Sequence, residues 1–89
     1  MERYFLVKNM NIAFQMDKLS NINFSTDSTI ALIFESQLRN NKNFIYEPND
    51  LFIKNNEVFA LASLINFSNK DFTKYKSAEK KIIKLSSMN

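Results

Sequence analysis

The chain has no glycine in its 89 residues, and this absence limits the turns that it can form. Turns that need a positive φ normally use glycine, because other residues are strained there. Asparagine is the usual second choice. The pairs Asn40-Asn41 and Asn55-Asn56, together with Asn49, stand where turns are expected. We therefore interpret these asparagines as substitutes for glycine.

Length and missing residue types restrict the domain number and the chemistry. A chain of 89 residues makes one domain, and it buries only roughly 60% of its unfolded surface. Cysteine and histidine are both absent. This excludes disulfides, thiolate nucleophiles, the usual zinc sites and any catalytic triad that uses either residue. The lack of disulfides is compatible with a reducing cytoplasm, which is the expected location.

No apolar segment suits secretion or a membrane span. The opening run from Tyr4 to Val7 is shorter than the ~7 to 15 residues of a signal-peptide core. An apolar span of ~18 residues, the length that predicts a transmembrane helix, does not occur in the sequence. Neither a membrane partner nor export is expected.

The first half of the chain has the pattern of a strand, a helix and a second strand. Asn11 to Met16 is a short apolar run typical of a buried parallel strand. After a polar loop, a helix begins near Asp27 or Ser28, either of which can cap its first turn. The apolar residues of one helical face are Ile30, Ile33, Phe34 and Leu38. Asn43 to Glu47 supplies the second strand, which completes a predicted βαβ unit.

The second half predicts a hairpin and a helix. Pro48-Asn49 suits the centre of a type II turn, with Asn49 at the positive φ. Leu51 to Lys54 and Val58 to Phe67 are extended segments around Asn55-Asn56, which indicates a β-hairpin. From Asp71 onward, apolar spacing predicts a C-terminal helix. Its apolar residues are Phe72, Tyr75, Ile82, Ile83 and Leu85.

Three blocks of the sequence point to a family. They are FQMD-x-L-x-NIN from Phe14 to Asn23, DSTIALIFESQLR from Asp27 to Arg39, and YEPNDLFIKNNEVFA from Tyr46 to Ala60. In order and spacing they resemble the MDP-I-x-x-IN, DSTFAMLLEAQRR and MEPGDLYL blocks of the N-terminal domain of prokaryotic glutathione synthetases. The resemblance runs from Ile12 to Phe67, about two-thirds of the chain, and three blocks in register make it specific.

The chain also departs from the family pattern. Lys18 stands where the family has proline, and Asn40 and Asn49 stand where it has glycine. Asparagine preserves the backbone geometry of glycine, whereas the change at Lys18 affects the substrate-side loop. Family members begin close to the first strand, so Met10 is an expected start and residues 1–9 an expected extension. Residues 10–89 then form the N-terminal domain, incomplete at its C-terminal end.

The resemblance implies a Rossmann-like α/β fold of the pre-ATP-grasp type. Family members join γ-glutamylcysteine to glycine with ATP and magnesium, through an acyl phosphate. This chemistry needs a phosphate-binding loop and metal-binding carboxylates, which the resemblance assigns to an ATP-grasp domain that this chain lacks. We therefore expect no cofactor in this chain, no activity by itself, and a role on the acceptor side of the site. A separate ATP-grasp polypeptide and further copies of the chain are the expected protein partners.

Candidate substrate-binding residues lie between the first strand and the helix. Ligands of open α/β sheets bind at the carboxyl ends of strands, which favours Asp17, Asn21 and Asn23. A helix N-terminus at Asp27 and Ser28 presents N–H groups that suit a substrate carboxylate. A purely capping role is favoured for Asp27 and Ser28, whereas substrate contact and loop structure are equally expected for Asp17 and Asn23.

Other charged residues favour structural roles. Glu35 and Asp50 are a conceivable carboxylate pair for acid–base work, but Glu35 is in mid-helix and Asp50 follows a turn. A late segment is rich in lysine: Lys70, Lys74, Lys76, Lys80, Lys81 and Lys84. Asp71 and Glu79 interrupt it, so a solvated helix face is favoured over a phosphate or nucleic-acid site. The alternative to a synthetase fragment is a stand-alone small α/β binding module, with a basic nucleic-acid binder in third place.

Overall fold

A computed structural model describes residues 10–24, 26–68 and 74–88. Within these ranges, one α-helix packs on a mixed sheet of six strands. The helix is α1 (Ser28–Leu38), and the strands are β1 (Asn11–Gln15), β2 (Lys42–Tyr46), β3 (Leu51–Lys54), β4 (Glu57–Phe67), β5 (Tyr75–Ser77) and β6 (Lys81–Lys84). Short 3₁₀ turns are Leu19–Asn21, Pro48–Asp50 and Leu85–Ser87. The α/β class expected from the sequence is confirmed.

The predicted helix α1 is present. The strands β1 and β2 begin and end within one residue of their expected bounds. β1 and β2 pair in parallel, from Asn11 opposite Lys42 to Gln15 opposite Tyr46. Parallel strands end at the same edge of a sheet. The segments after Gln15 and after Tyr46 therefore leave the sheet side by side.

Residues next to its two termini explain where α1 begins and where it ends. Asp27 is the N-cap, and its Oδ1 accepts a hydrogen bond of 2.9 Å from the backbone N–H of Ile30. After the last turn, Asn40 adopts a φ of 65°, so the expected left-handed stop is confirmed. Ile30 and Ile33 face the sheet and are fully buried.

Two sets of polar contacts fasten α1 to the sheet. The Ser36 hydroxyl donates to Oδ1 of the buried Asn43 at 2.6 Å. The Gln37 side chain donates to the backbone oxygen of Phe67 at 2.8 Å and accepts from its N–H at 2.7 Å. Because buried polar groups are costly without partners, these contacts define the position of the helix over β2 and β4.

β4 is the centre of the sheet. β2 pairs with it near Leu64, and β5 pairs with it from Ile65 to Phe67. β3 and β6 both pair with Phe59 and Ala60, so they lie on opposite edges of β4. The apolar side chains form two clusters, one under α1 around Ile30, Ile33 and Ile65, and another around Phe44, Ala60 and Ile83.

The β3–β4 hairpin is confirmed, but the turn before it differs from expectation. Asn55 and Asn56 have φ values of 53° and 65°, as a two-residue type I′ turn requires. Pro48-Asn49 does not form the expected type II turn, since Pro48–Asp50 is a 3₁₀ turn. The reason is a reciprocal capping box between Glu47 and Asp50, which satisfies backbone N–H groups in the helical geometry.

The expected C-terminal helix is wrong. Residues 74–88 contain β5 and β6 instead, while Asp71 and Phe72 lie outside the described residues. In β6, Ile83 is 6% exposed and its neighbour Ile82 is 62% exposed, which is the alternation of a strand. β4 offers an edge for this pairing, and two β-branched isoleucines suit a strand. The described lysines of this segment therefore do not form a solvated helix face, and Lys70 lies outside the described residues.

Candidate functional site

A cavity of about 290 Å³ lies where β1 and β2 end. The segments that follow these strands, the middle of β4 and the chain after β5 surround it. The polar and charged residues that line it are Asp17, Lys18, Ser20, Tyr46, Glu47, Asp50, Ser63, Ser77 and Lys80. Met16, Leu19 and Ile45 add an apolar lining. The cavity therefore combines both charges with an apolar surface.

A second cavity, also of about 290 Å³, adjoins the N-terminus of α1. It shares Met16 and Asp17 with the first cavity, and Asp27 and Thr29 also line it. Asp17 therefore lies at the carboxyl end of β1 and also beside the N-terminus of α1. The two carboxylates, Asp17 and Asp27, favour a cationic group over an anionic one in this second cavity.

The five residues expected to bind substrate occupy different positions. Asp17 lines both cavities and Asp27 lines the second, although Asp27 also caps α1. Asn21, Asn23 and Ser28 are absent from the linings of these two cavities. The backbone oxygen of Asn23 accepts hydrogen bonds from Thr26 and Asp27, which organises the loop before α1. The structure thus brings Asp17 and Asp27 to one cavity.

Glu35 and Asp50 have separate cationic partners. Glu35 lies 3.4 Å from Arg39 on the exposed face of α1. Asp50 accepts from Lys80 at 3.0 Å and from the backbone N–H of Glu47 at 2.9 Å. The surface and turn-stabilising roles favoured for them by the sequence agree with these contacts.

Of the charged residues that line the first cavity, sequence reasoning assigned only Asp17 to substrate binding, and it considered Asp50 only for acid–base work. Glu47 and Asp50 were identifiable, because a carboxylate on each side of a Pro-Asn pair is the pattern of a capping box. Lys80 carried no such signal. It reaches Asp50 only because β5 and β6 pair with β4, a long-range contact that the local pattern does not encode.

Hydrogen bonds perturb the titration of the Asp50–Lys80 pair. The Glu47 N–H lowers the pKa of the Asp50 carboxyl, burial opposes this, and Lys80 lowers that pKa further. The hydrogen bond to Asp50 raises the pKa of the Lys80 ammonium. A lowered carboxyl pKa contributes stability above its unfolded pKa that is lost as the pH falls through the folded one. The raised lysine pKa contributes stability that is lost at high pH.

We expect Asp50→Asn to reduce the pH dependence of stability on the acid side. The difference in unfolding free energy between the parent chain and Asp50→Asn should be largest near neutral pH and shrink toward about pH 3. Lys80→Met should retain part of this dependence, because the Glu47 N–H remains. Urea unfolding followed by circular dichroism at a series of pH values measures these differences. An Asp50→Asn effect that is constant with pH would contradict the assignment.

The described residues contain neither a cluster of metal-ligating side chains nor a helix that could cross a membrane. Among the described residues, no group of three or more Asp, Glu, His or Cys side chains is arranged to hold a metal ion. No helix in the described ranges has the length and hydropathy to cross a bilayer.

Known proteins match the chain over nearly all of its described length. The prokaryotic glutathione synthetase N-terminal domain matches residues 10–89. A glutathione synthetase of Buchnera aphidicola subsp. Schizaphis graminum is 30% identical over 81 residues, which is 91% of this chain and 25% of that protein. One of Mesorhizobium japonicum is 32% identical over 79 residues, 89% of this chain and 25% of that protein. One of Agrobacterium fabrum is 38% identical over 55 residues, 62% of this chain and 17% of that protein.

The family match contains all three sequence blocks and extends beyond them to Asn89. The chain spans about a quarter or less of the length of these curated relatives. The family match covers far more than half of the chain, and it begins at Met10. The chain belongs to the family of prokaryotic glutathione synthetase N-terminal domains.

Proposed function

We propose that the chain is the substrate-side domain of a glutathione synthetase and forms one wall of the site for γ-glutamylcysteine or glycine. The observation that carries this proposal is the position of Asp17. It lines both cavities at the carboxyl end of β1, beside the parallel strand β2. Open α/β sheets bind their ligands at this edge.

The charges of the first cavity suit a zwitterionic ligand. Asp17 and Glu47 offer acceptors for an α-ammonium group, while Lys18 offers a cation for a carboxylate. Lys80 is already held by Asp50, so it is a weaker candidate. Amino acids and short peptides carry both groups, and both proposed ligands belong to that class.

ATP and magnesium belong to a different part of the proposed site. The sequence has no glycine for a phosphate-binding loop, and the described residues have no cluster of potential metal ligands. The residues present therefore do not fit either group. We assign nucleotide and metal to an ATP-grasp polypeptide that completes the site.

The remaining parts of the proposal follow from that assignment. The domain is of the Rossmann-like pre-ATP-grasp type, spans residues 10–89, and is preceded by an extension at residues 1–9. The chain is inactive alone, acts in the cytoplasm, and contributes Asp17, Asn21, Asn23, Asp27 and Ser28 to the substrate side. Of these, Asp17 and Asp27 have direct support from the cavity linings.

Reconstitution tests the proposed function. The chain alone should make no glutathione from γ-glutamylcysteine, glycine, ATP and Mg²⁺. Adding the remaining part of a curated relative, expressed without its own N-terminal domain, should give ATP-dependent glutathione formation, because the two halves of the site then meet. Product is measured by chromatography with mass detection.

Two outcomes would contradict the proposal. Glutathione formation by the chain alone would show that the chemistry does not need a second polypeptide. A complementary polypeptide that folds but neither binds the chain nor gains activity with it would favour the stand-alone binding module instead.

A further inference from the structure

Asp50 and Lys80 form an ion pair that crosses the central strand of the sheet. Asp50 directly precedes β3, and Lys80 directly precedes β6. These two strands lie on opposite edges of β4, because both pair with the same two of its residues. Asp50 Oδ1 and Lys80 Nζ are nevertheless 3.0 Å apart. The ion pair therefore spans β4, and both of its residues line the first cavity.

The hydrogen bonds of Asp50 determine where the lysine ammonium lies. One oxygen of the Asp50 carboxylate accepts from Lys80, and the other accepts from the backbone N–H of Glu47, the residue after β2. The Asp50 side chain is only 12% exposed, whereas that of Lys80 is 51% exposed. Because the carboxylate is covered and held by two donors, it positions the ammonium near Glu47. Much of the lysine side chain stays accessible.

Asp50 does not use the full hydrogen-bonding capacity of Lys80. A lysine ammonium has three N–H donors. Among the described residues, Asp50 is the one hydrogen-bond acceptor of this ammonium. The same hydrogen bond raises the pKa of Lys80, so the group stays charged well above neutral pH. Lys18 remains the first candidate for a ligand carboxylate, and Lys80 supplies donors for a second one.

The two lysines belong to different places along the cavity. Lys18 follows β1, and β2 lies between β1 and β4, the strand that the ion pair spans. Neighbouring strands are about 4.8 Å apart, so these two places are separated by up to about 10 Å. Glu47 follows β2, the strand between them. The cavity therefore combines two separated cations with a carboxylate between their strands.

The two proposed ligands differ in what they offer to these cations. Glycine has one carboxylate, next to its ammonium group. γ-Glutamylcysteine has an α-ammonium group and two carboxylates. Seven bonds separate its two carboxylate carbons, and an extended chain gains about 3.3–3.6 Å for every three backbone bonds, so the carboxylates reach about 8 Å apart. The dipeptide is long enough to contact both lysines at once, whereas glycine contacts only one.

We propose that Lys80 makes the first cavity selective for γ-glutamylcysteine over glycine, because it binds the second carboxylate that only the dipeptide carries. Asp17 and Glu47 accept from the α-ammonium group. Lys18 then binds one carboxylate, and Lys80 binds the other without leaving Asp50. This selectivity rests on the proposed function, and it assigns one of the two ligands to the cavity.

Lys80→Met tests the selectivity, because methionine retains an unbranched apolar side chain and removes the charge. The parent chain should bind γ-glutamylcysteine at least about tenfold more tightly than γ-glutamylcysteamine, which lacks the cysteinyl carboxylate. In Lys80→Met the dissociation constant for γ-glutamylcysteine should rise about tenfold, and that for γ-glutamylcysteamine should change by less than about twofold. Lys80→Arg keeps the charge and the donors and should bind both ligands like the parent chain. Amide chemical shifts of the ¹⁵N-labelled chain give these constants.

Lys84→Met is the matched control. Lys84 forms an ion pair with Glu57 and does not line the first cavity, so this substitution should change neither dissociation constant. Equal losses for both ligands in Lys80→Met would indicate a purely structural role for Lys80 and would overturn the selectivity. Unchanged binding of γ-glutamylcysteine in Lys80→Met, with binding weakened in Asp17→Asn, would overturn the selectivity alone and leave the proposed function standing. No binding of γ-glutamylcysteine to the parent chain would overturn the selectivity and count against the proposed function as well.

Discussion

Ile65→Ala is expected to remove a large part of the free energy of unfolding at room temperature. Ile65 lies in β4 with 0% exposure and packs with Ile30 and Ile33 of α1 in the cluster between helix and sheet. Truncating a buried isoleucine to alanine costs about 2–5 kcal/mol, because apolar contacts are lost and a cavity remains. Domains have a total stability of about 5–15 kcal/mol, and a chain of 89 residues is at the low end.

Ile82→Ala is the matched control for this prediction. It makes the same chemical change in the same sheet, but Ile82 is 62% exposed. Surface substitutions of this kind usually change stability by within about 0.5 kcal/mol. Guanidinium unfolding followed by circular dichroism compares the two variants with the parent chain. Similar losses for Ile65→Ala and Ile82→Ala would show that β4 is not the centre of the packed core.

The elements predicted well from sequence are those whose signals are local. Asp27 lies beside an apolar helical pattern and caps it in the structure. Asn40, Asn55 and Asn56 stand at turns and adopt positive φ values there, as a chain without glycine requires. Each of these depends on the chemistry of a few neighbouring residues, so the sequence pattern is sufficient.

The elements predicted wrongly depend on partners distant in the chain. The segment Lys81–Lys84 has two adjacent isoleucines, which fit either a helical face or a strand. Pairing with Ala60 and its neighbours on β4 selects the strand, and no local feature indicates that choice. Asn49 failed as a positive-φ position because the Glu47–Asp50 capping box stabilises a 3₁₀ turn.

In the candidate site, too, positions that depend on local sequence were predictable, and positions that depend on distant contacts were not. Asp17 follows directly after a recognisable strand, so its position at the sheet edge was predictable. The approach of Lys80 to Asp50 was not predictable, because it depends on β5 and β6. Asn21 and Asn23 belong to the same loop as Asp17, yet only structure separates residues that line a cavity from those that do not.

Asp17→Asn is expected to have the largest effect on ligand binding. The substitution keeps the size of the side chain and removes the charge that both cavities share. A hydrogen bond to a charged group contributes about 1.5–3 kcal/mol, so its loss should weaken binding of an α-ammonium ligand at least about tenfold. Glu35→Gln is the matched control, because it makes the same change on the exposed face of α1, where Glu35 contacts Arg39.

The most direct measurement is a titration of the ¹⁵N-labelled chain with γ-glutamylcysteine, and separately with glycine, followed by amide chemical shifts. If the ligand binds against Asp17, the amide chemical shifts should change most from Met16 to Ser20 and at Glu47. They should persist in Glu35→Gln and be strongly reduced in Asp17→Asn at the same ligand concentrations. Shifts that are absent for both ligands, or that cluster on β3 and β6 and survive in Asp17→Asn, would contradict the assignment of this edge of the sheet as the substrate side.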